Sequence, residues 1–335
     1  MNIFDKIFEL TKQKPQRVAF PEADTKEIIL VAHEVINRQI GFPYLFGSPP
    51  EIRKVAQAGG VSLDKMTIVD ATDANYVDRI ITNYLDIKPA ALFDKTALKR
   101  KTRDPLYSAL IAEAIGEIDC TFAGYTHTTA EVSTAGQTII GLADGISSLS
   151  SIGLINIPGL PGKEGVVLAI GDAAFHVDPT AVQLAMNAIA ACDLMNKILG
   201  WESRCAILSY STLGSGVGPN VSKVAQAVKI ANEKRHDLLI DGEFQLDAAV
   251  DMDIARKKVK RESKVAGQAN ILIFPAIDAA NIGVKIFQQY TNCEMLIPIT
   301  IGFDKPVQDC SRGSSITEMT RDVAFACLQA GMRSN

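Results

Sequence analysis

The stretch Asp309-Cys-Ser-Arg-Gly-Ser-Ser-Ile-Thr-Glu318 gathers groups with which an enzyme handles an anion. Ser311 offers a neutral hydroxyl donor, Arg312 a planar cationic fork, and Gly313 a close backbone approach. The combination suits a phosphate or a developing oxyanion. The stretch follows a buried strand and opens a helix. Ser315-x-x-Glu318 is also a capping box, which alone would explain both residues.

Further segments carry candidate chemistry. Leu208-Ser-Tyr-Ser-Thr-Leu-Gly-Ser-Gly-Val-Gly218 is a strand running into a Gly- and Ser-rich loop and then a helix. Its amides and hydroxyls could cradle a phosphate at the helix N-terminus, or it is simply a tight turn. It fails as a dinucleotide fingerprint, because Pro219 stands where the last glycine belongs, and no GxxxxGK[ST] occurs. Asp241, Glu243 and Asp247 cluster after another buried strand, where they could bind a metal or a substrate hydroxyl, or cap the next helix. In Gly124-Tyr-Thr-His-Thr-Thr-Ala-Glu131, His127 lacks a nucleophile and an orienting carboxylate nearby in sequence. A structural or substrate-shaping histidine is the reading there.

The elements that must position these residues alternate between strand and helix. Strands are read at Arg17 to Pro21, Pro43 to Phe46, Met66 to Val69, Cys120 to Ala123, Val166 to Ile170, Cys205 to Ser209, Leu238 to Ile240, Ile271 to Phe274 and, as the last, Ile297 to Ile301. Helices are read at Thr25 to Gln39, Glu51 to Ala58, Asn75 to Leu85, from Asp104-Pro105 to a stop at Gly116, from an Asp178-Pro179 cap to Leu199, at Val221 to Glu233, and from Ser315 onward. Repeating βα units imply parallel sheets covered by helices. The Ser-, Gly- and Pro-rich stretch from Ser147 to Lys163 marks a domain transition, although Leu149 to Ile157 could itself be a strand.

Composition narrows the function classes. At 335 residues, about two domains are expected. With 34 basic and 38 acidic residues, the net charge of −4 argues against nucleic acid as the main partner while permitting a local basic pocket. No apolar run is long enough to span a membrane, and Met1 to Lys14 lacks a signal-peptide core. The six cysteines form no CxxC pair and only four histidines are present, so a zinc site, a metal centre or a disulfide framework is not expected. A reducing cytoplasm fits.

In Leu208-Ser-Tyr-Ser-Thr-x-Gly-Ser215, Asp241-Gly-Glu-x-Gln-x-Asp-Ala-Ala249, Val265-Ala-Gly-x-Ala-Asn270, Ile273-Phe-Pro275, Asn281-Ile-x-x-Lys285 and Lys305-Pro-Val-x-Asp-x-Ser-Arg-Gly313, the chain resembles the phosphate acetyltransferase / phosphate butyryltransferase family, more the acetyl than the butyryl branch. The start Phe20-Pro-Glu-Ala-Asp24 fits too. The resemblance implies transfer of an acyl group between coenzyme A and phosphate, with acyl-CoA, phosphate and acyl phosphate as small-molecule partners. It implies no tightly bound cofactor, no catalytic metal and a homodimer. It also implies two three-layer αβα domains with mostly parallel sheets and a cleft between them, in a layering like that of isocitrate or isopropylmalate dehydrogenase. The expected domains are residues 1–145 with 303–335, and residues 146–302.

By the same resemblance Ser311, Arg312 and Glu318 would be catalytic. Thr128, Thr129, Thr134 and Gly313, with Ser209, Ser211, Thr212, Gly214, Ser215 and Asn281, would bind substrate. Glu318 stands where the family has Asp, and Thr134 where the family has a phosphate-binding Arg; Arg100 and Arg103 are the alternatives for that role. The chemistry agrees with that reaction. A thiol of pKa about 8.5 is only about 3 % thiolate at pH 7, so a base raises thiolate by at most roughly 30-fold. Orientation and oxyanion stabilisation must supply the rest. Two other classes stay open: a family member that binds CoA or acyl phosphate with little turnover, and a dehydrogenase on the related layering.

Overall fold

The computed structural model describes residues 2–157, 167–172 and 174–332, with the backbone alone of Ile297. Two compact units form, one from Met1–Ser147 with Gly302–Asn335, the other from Ser148–Ile301.

The first unit begins with β1 (Gln16–Phe20), β2 (Gly41–Gly47), β3 (Thr67–Asp70) and β4 (Cys120–Ala123). The second contributes β5 (Ser150–Asn156), β6 (Val167–Gly171), β7 (Arg204–Leu208), β8 (Leu239–Phe244), β9 (Ile271–Ile273) and β10 (Glu294–Ile301), after which the chain returns to the first unit as β11 (Val307–Asp309). The first sheet has the order β11-β4-β1-β2-β3 and is wholly parallel. The second has the order β10-β5-β6-β9-β7-β8, parallel from β6 to β8, with β5 and β10 antiparallel. The α/β class with mostly parallel sheets is therefore as the sequence implies.

Parallel pairing aligns the carboxyl ends of β1, β4 and β11, where open α/β sheets present ligand-binding loops. Val18 pairs with Cys120, and Asp309 with Ala123. The residues just beyond, Glu22, Gly124 to His127, and Cys310 to Arg312, thus emerge side by side. Beneath them Val18, Ala19, Phe20, Phe122 and Ala123 are fully buried, with the Phe20 and Phe122 rings edge to face at 5.9 Å. Burying one such aromatic contributes about 1.5–3 kcal/mol, which fixes the strand ends that carry the loops.

Several sequence expectations need correction. Ile297–Ile301 is not the last strand: it is the end of β10, and the three-residue β11 follows. The helix after Asp178-Pro179 starts at Ala181, and its cap is Thr180, whose hydroxyl accepts from Gln183 N while Gln183 Oε1 accepts from Thr180 N. That reciprocal pair satisfies two donors at once, and Asp178 instead accepts from Lys223 at 2.6 Å. β8 runs on to Phe244, so Asp241 and Glu243 lie within the strand rather than after it. The Thr129–Ile139 helix follows the His127 segment as the resemblance implies, and a helix, Leu246–Val250, does follow the acids of β8, whereas the Ile3–Lys12, Lys95–Lys101, Met252–Lys258 and Ile277–Tyr290 helices have no counterpart in the sequence reading. The expected strand start at Val166 and the part of the transition segment at 158–163 lie outside the described residues. The cysteines are all free, and all are buried except the half-buried Cys293.

Candidate active site

Glu22, 1 % exposed at its side chain, organises the loops at the carboxyl end of the first sheet. Its Oε1 accepts from the amides of Thr126 and His127 and from Thr126 Oγ1, each at 2.9 Å, and from Gly124 N at 3.3 Å. Tyr125 N donates to Oε2 at 2.9 Å. His127 Nδ1 lies 2.7 Å from Oε1, and His127 Nε2 lies 3.2 Å from Asp104 Oδ2. Burial pushes the Glu22 carboxyl up, but the His127 ring and the amides of His127, Thr126 and Tyr125 outweigh it and hold the group at about 2. Bonds from Asp104 and then Glu22 raise His127 to about 10 against its own burial. At neutral pH His127 is thus an imidazolium with both N–H groups donated to carboxylates. It has no lone pair to act as a base, and its role in this geometry is structural.

Asp309 closes β11 with its Oδ2 accepting from Thr129 Oγ1 at 2.7 Å. Burial, with the nearby charge of Glu22, lifts this carboxyl to about 6 although Thr129 and Cys310 N hold it down. A glycine is required opposite. Gly124 has φ +105°, and a Cβ there would lie 2.2 Å from Asp309 Oδ1 and 2.8 Å from Cys310 N.

The turn that follows presents Ser311, Arg312 and Gly313, all exposed. Ser314 N donates to Ser311 O at 3.0 Å, and Gly313 N to Ser311 Oγ at 3.4 Å, so the Ser311 hydroxyl proton remains to be donated. Arg312 Nη2 donates to Thr126 O at 3.3 Å. Its other N–H groups have no partner among the described residues. Glu131 is held low by Thr128 and, more weakly, by the charges of His127 and Arg312, which sets the guanidinium beside the loop before the Thr129–Ile139 helix. Glu318 completes a capping box: Ser315 N and Ser315 Oγ each donate to its Oε2 at 2.8 Å. Its Oε1 makes no hydrogen bond among the described residues.

The first unit therefore gathers Thr128, Thr129, Ser311, Arg312 and Gly313 around one sheet end, with Glu318 one turn into the following helix. Thr128 is the N-cap of its helix, paired with Glu131. Thr134 is exposed, three residues after Glu131 on the same helix face. Arg100 and Arg103 are exposed too, Arg103 directly preceding the Asp104 that binds His127. Sequence reasoning missed Glu22, Asp104 and Asp309 as site carboxylates. The available signal was position, since Glu22 and Asp309 stand at ends of parallel strands.

In the second unit the 209–215 residues form one self-bonded loop around Glu243. Ser211 Oγ donates to Glu243 Oε1 at 3.0 Å and Gly214 N to the same oxygen at 2.6 Å, while Leu213 N reaches Glu243 O. Gly216 N donates to Ser211 Oγ, Thr212 N to Ser215 Oγ, and Ser215 N to Thr212 O. A cradle of loop amides is thus not formed here, because the loop takes up these amides itself. Thr212 Oγ1 lies 3.4 Å from Gln245 Oε1. Ser209 and Ser215 accept from amides, which leaves their hydroxyl protons for a ligand. Asn281 is exposed on the Ile277–Tyr290 helix and is not joined to this loop by a described bond. Nor do the three acids converge. Asp241 pairs with Arg261 and Ser263, Glu243 with the loop, and Asp247 with Lys258. Among the described residues no cluster of three His, Cys, Asp or Glu could hold a metal, and no helix is long and apolar enough to cross a membrane.

The family model for phosphate acetyl/butaryl transferase matches residues 2–327. The chain belongs to this family. A phosphate acetyltransferase of Clostridium acetobutylicum is 33 % identical over 331 residues, covering 98 % of this chain and 99 % of the relative. One of Haemophilus influenzae is 36 % identical over 325 residues, but they make up 44 % of that longer relative. A phosphotransacetylase structure from Streptococcus pyogenes matches with a TM-score of 0.89 at 30 % identity, over 98 % of this chain and 99 % of that one. This is a family of acyltransferases, so the dehydrogenase alternative is set aside.

Proposed function

We propose that the protein catalyses reversible transfer of an acetyl or other short acyl group between coenzyme A and inorganic phosphate. The observation that carries this reading is the Ser311-Arg312-Gly313 turn, exposed at the end of β11 and tied through Arg312 to the charge-locked loop after β4. In this proposal Arg312 holds phosphate, Ser311 donates to the oxyanion as the tetrahedral carbon forms, and Glu318 Oε1 takes the thiol proton. Thr128, Thr129 and Gly313 shape the phosphate side; in the second unit Ser209, Ser215 and Asn281 are assigned to substrate, while Ser211, Thr212 and Gly214 hold the shape of the loop that carries the two serines. Coenzyme A and phosphate act as substrates, with no tightly held cofactor. We further propose a cytoplasmic homodimer.

Thiol release from acetyl-CoA, with phosphate or arsenate as acceptor, tests the reading. Anion-dependent release is expected. Tight CoA binding with no anion-dependent release would favour a binding protein instead, and faster turnover of butyryl-CoA would move the preference to longer chains.

Glu318 separates its two roles by substitution. Glu318→Gln retains an oxygen for the cap and should keep most of the stability, yet it should lower acyl transfer roughly 10-fold or more. Glu318→Ala should lose both, including about 1 kcal/mol of stability. Equal stability losses with activity intact would leave Glu318 as a cap only.

Thr134 tests the anion site. Thr134→Arg, on the exposed face beside Glu131, is expected to lower the KM for phosphate. One added charge-assisted contact of about 1.5–3 kcal/mol corresponds to roughly 10- to 150-fold. A rise in KM would show that another cation, with Arg103 the first to replace by alanine, already occupies that place.

A further inference from the structure

The second unit holds another constellation, outside the segments assigned to acyl transfer. His176 Nδ1 lies 2.8 Å from Asp172 Oδ2, and His176 Nε2 lies 3.0 Å from Ser148 Oγ. Asp172 follows β6 directly and is buried. Its other oxygen, Oδ1, accepts from Ser151 Oγ at 2.6 Å and from the amides of Ser151, Ala174 and Phe175 at 3.1–3.2 Å. Burial works to raise this carboxyl, but His176, Ser151 and the Ala174 amide prevail and keep it below the ordinary range. Asp172 is thus an ionised acceptor. With the Nδ1 proton donated to Asp172, a neutral ring would present its Nε2 lone pair to Ser148 Oγ–H. That is the order of roles in a serine nucleophile, its base and the carboxylate that orients the base.

A plain clamp, tying the loop after β6 to the start of β5, would explain the bonds to Asp172. The last bond adds a feature that a clamp does not need, a hydroxyl that stays partly exposed while it meets the ring nitrogen at 3.0 Å. We propose that Ser148, His176 and Asp172 form an acyl-accepting site for small activated acyl donors such as acyl phosphates. Ser148 Oγ bonds to the acyl carbon, the bond from that carbon to the phosphate oxygen breaks, and His176 Nε2 receives the hydroxyl proton. Inorganic phosphate leaves with the bonding pair and takes that proton from His176, and an acyl-serine ester remains. Water then cleaves the ester: His176 removes a proton from the attacking water and returns it to Ser148 Oγ as the bond from the acyl carbon to Oγ breaks, giving the carboxylic acid and free Ser148. The amides of Ser151, Ala174 and Phe175 are taken up by Asp172 and do not serve an oxyanion, so acylation is slow. This site goes beyond the transfer proposed above and does not depend on it.

The whole protein is treated with a fluorophosphonate probe and, separately, with acetyl phosphate, and the peptide carrying Ser148 is examined by mass spectrometry. An adduct on Ser148 is expected with both reagents, absent in Ser148→Ala. His176→Asn keeps an N–H donor for Asp172 while removing the base, and it should label at least about 100-fold more slowly with thermal stability near that of the wild type. Acyl transfer from acetyl-CoA to phosphate should stay within about twofold in Ser148→Ala. Absence of a Ser148 adduct in the wild type, or equal labelling rates in wild type and His176→Asn, would overturn the proposal.

Discussion

Arg312→Ala is expected to lower acyl transfer by at least about 100-fold, chiefly through phosphate. The guanidinium is exposed and makes one described hydrogen bond, the 3.3 Å contact to Thr126 O. Its removal should therefore leave the fold intact. Losing one charge-assisted bond to phosphate costs about 1.5–3 kcal/mol, or roughly 10- to 150-fold. Lost orientation of the attacking anion adds to that. Arg312→Lys keeps the charge but not the planar fork, so it should recover only part of the loss. Initial rates at varied phosphate, with acetyl-CoA saturating, provide the check. Near-normal kcat/KM for phosphate in Arg312→Ala would remove this side chain from the site.

Replacing Glu22 should be the most damaging change to the first unit. Glu22→Gln removes the charge that His127 pairs with and sets an amide N–H₂ against backbone donors that need an acceptor. The difference between the carboxyl's ordinary 4.5 and about 2 corresponds to roughly 3 kcal/mol. The raised value of His127 is in part the same attraction seen from the other partner, so the two are not summed. A loss near 3 kcal/mol would lower the midpoint of thermal unfolding by roughly 6–12 °C. The pH dependence has a definite sign. Glu22 is depressed in the fold, so its contribution is complete above 4.5 and lost as pH falls toward about 2. His127 is raised, so its contribution is complete below 6.5 and lost as pH rises through about 10. Stability from this cluster is therefore greatest between about pH 4.5 and 6.5, and Glu22→Gln should flatten the acid flank. NMR titration of the His127 ring should show its value falling in the variant. An unchanged midpoint together with an unchanged ring titration would show that Glu22 does not hold the loop.

Much of this was legible in the sequence for identifiable reasons. Asp104-Pro105 and Gly116 bracket a helix through local chemistry: a side-chain cap, a proline at the first turn and a glycine at φ +85°. Cys120–Ala123 shows as a strand because both its faces are buried. The Ile3–Lys12 helix was also written there, since Ile3, Phe4, Ile7, Phe8 and Thr11 recur at helical spacing, but charges between them give an impression of alternation. β11 was not legible. Three residues carry no period, and Asp309 becomes buried only because β4 lies beside it. The site divides in the same way. Ser311, Arg312 and Gly313 are contiguous and could be read as a group. Glu22, Asp104 and His127 are brought together by sheet order, which no local pattern encodes. Asp104 shows why capping signals conceal chemistry, for one oxygen caps its helix while the other holds the imidazolium.

The return of β11 to the first sheet bears on how the chain is made. Strands β1 to β4 leave the ribosome early, but the edge beside β4 stays open until residues 307–309 have been synthesised. Residues 124–306, the whole second unit among them, come between, which at 5–20 residues per second is a delay of roughly 9–37 s. Through that interval β4 exposes unpaired backbone groups, and the helix Ile3–Lys12 lacks the last helix, where Thr11 Oγ1 donates to Ala324 O. An open strand edge is a template for wrong pairing. The first unit therefore completes its sheet only after the second has been made, and the Ser311-Arg312 turn arrives only with the segment that closes the sheet.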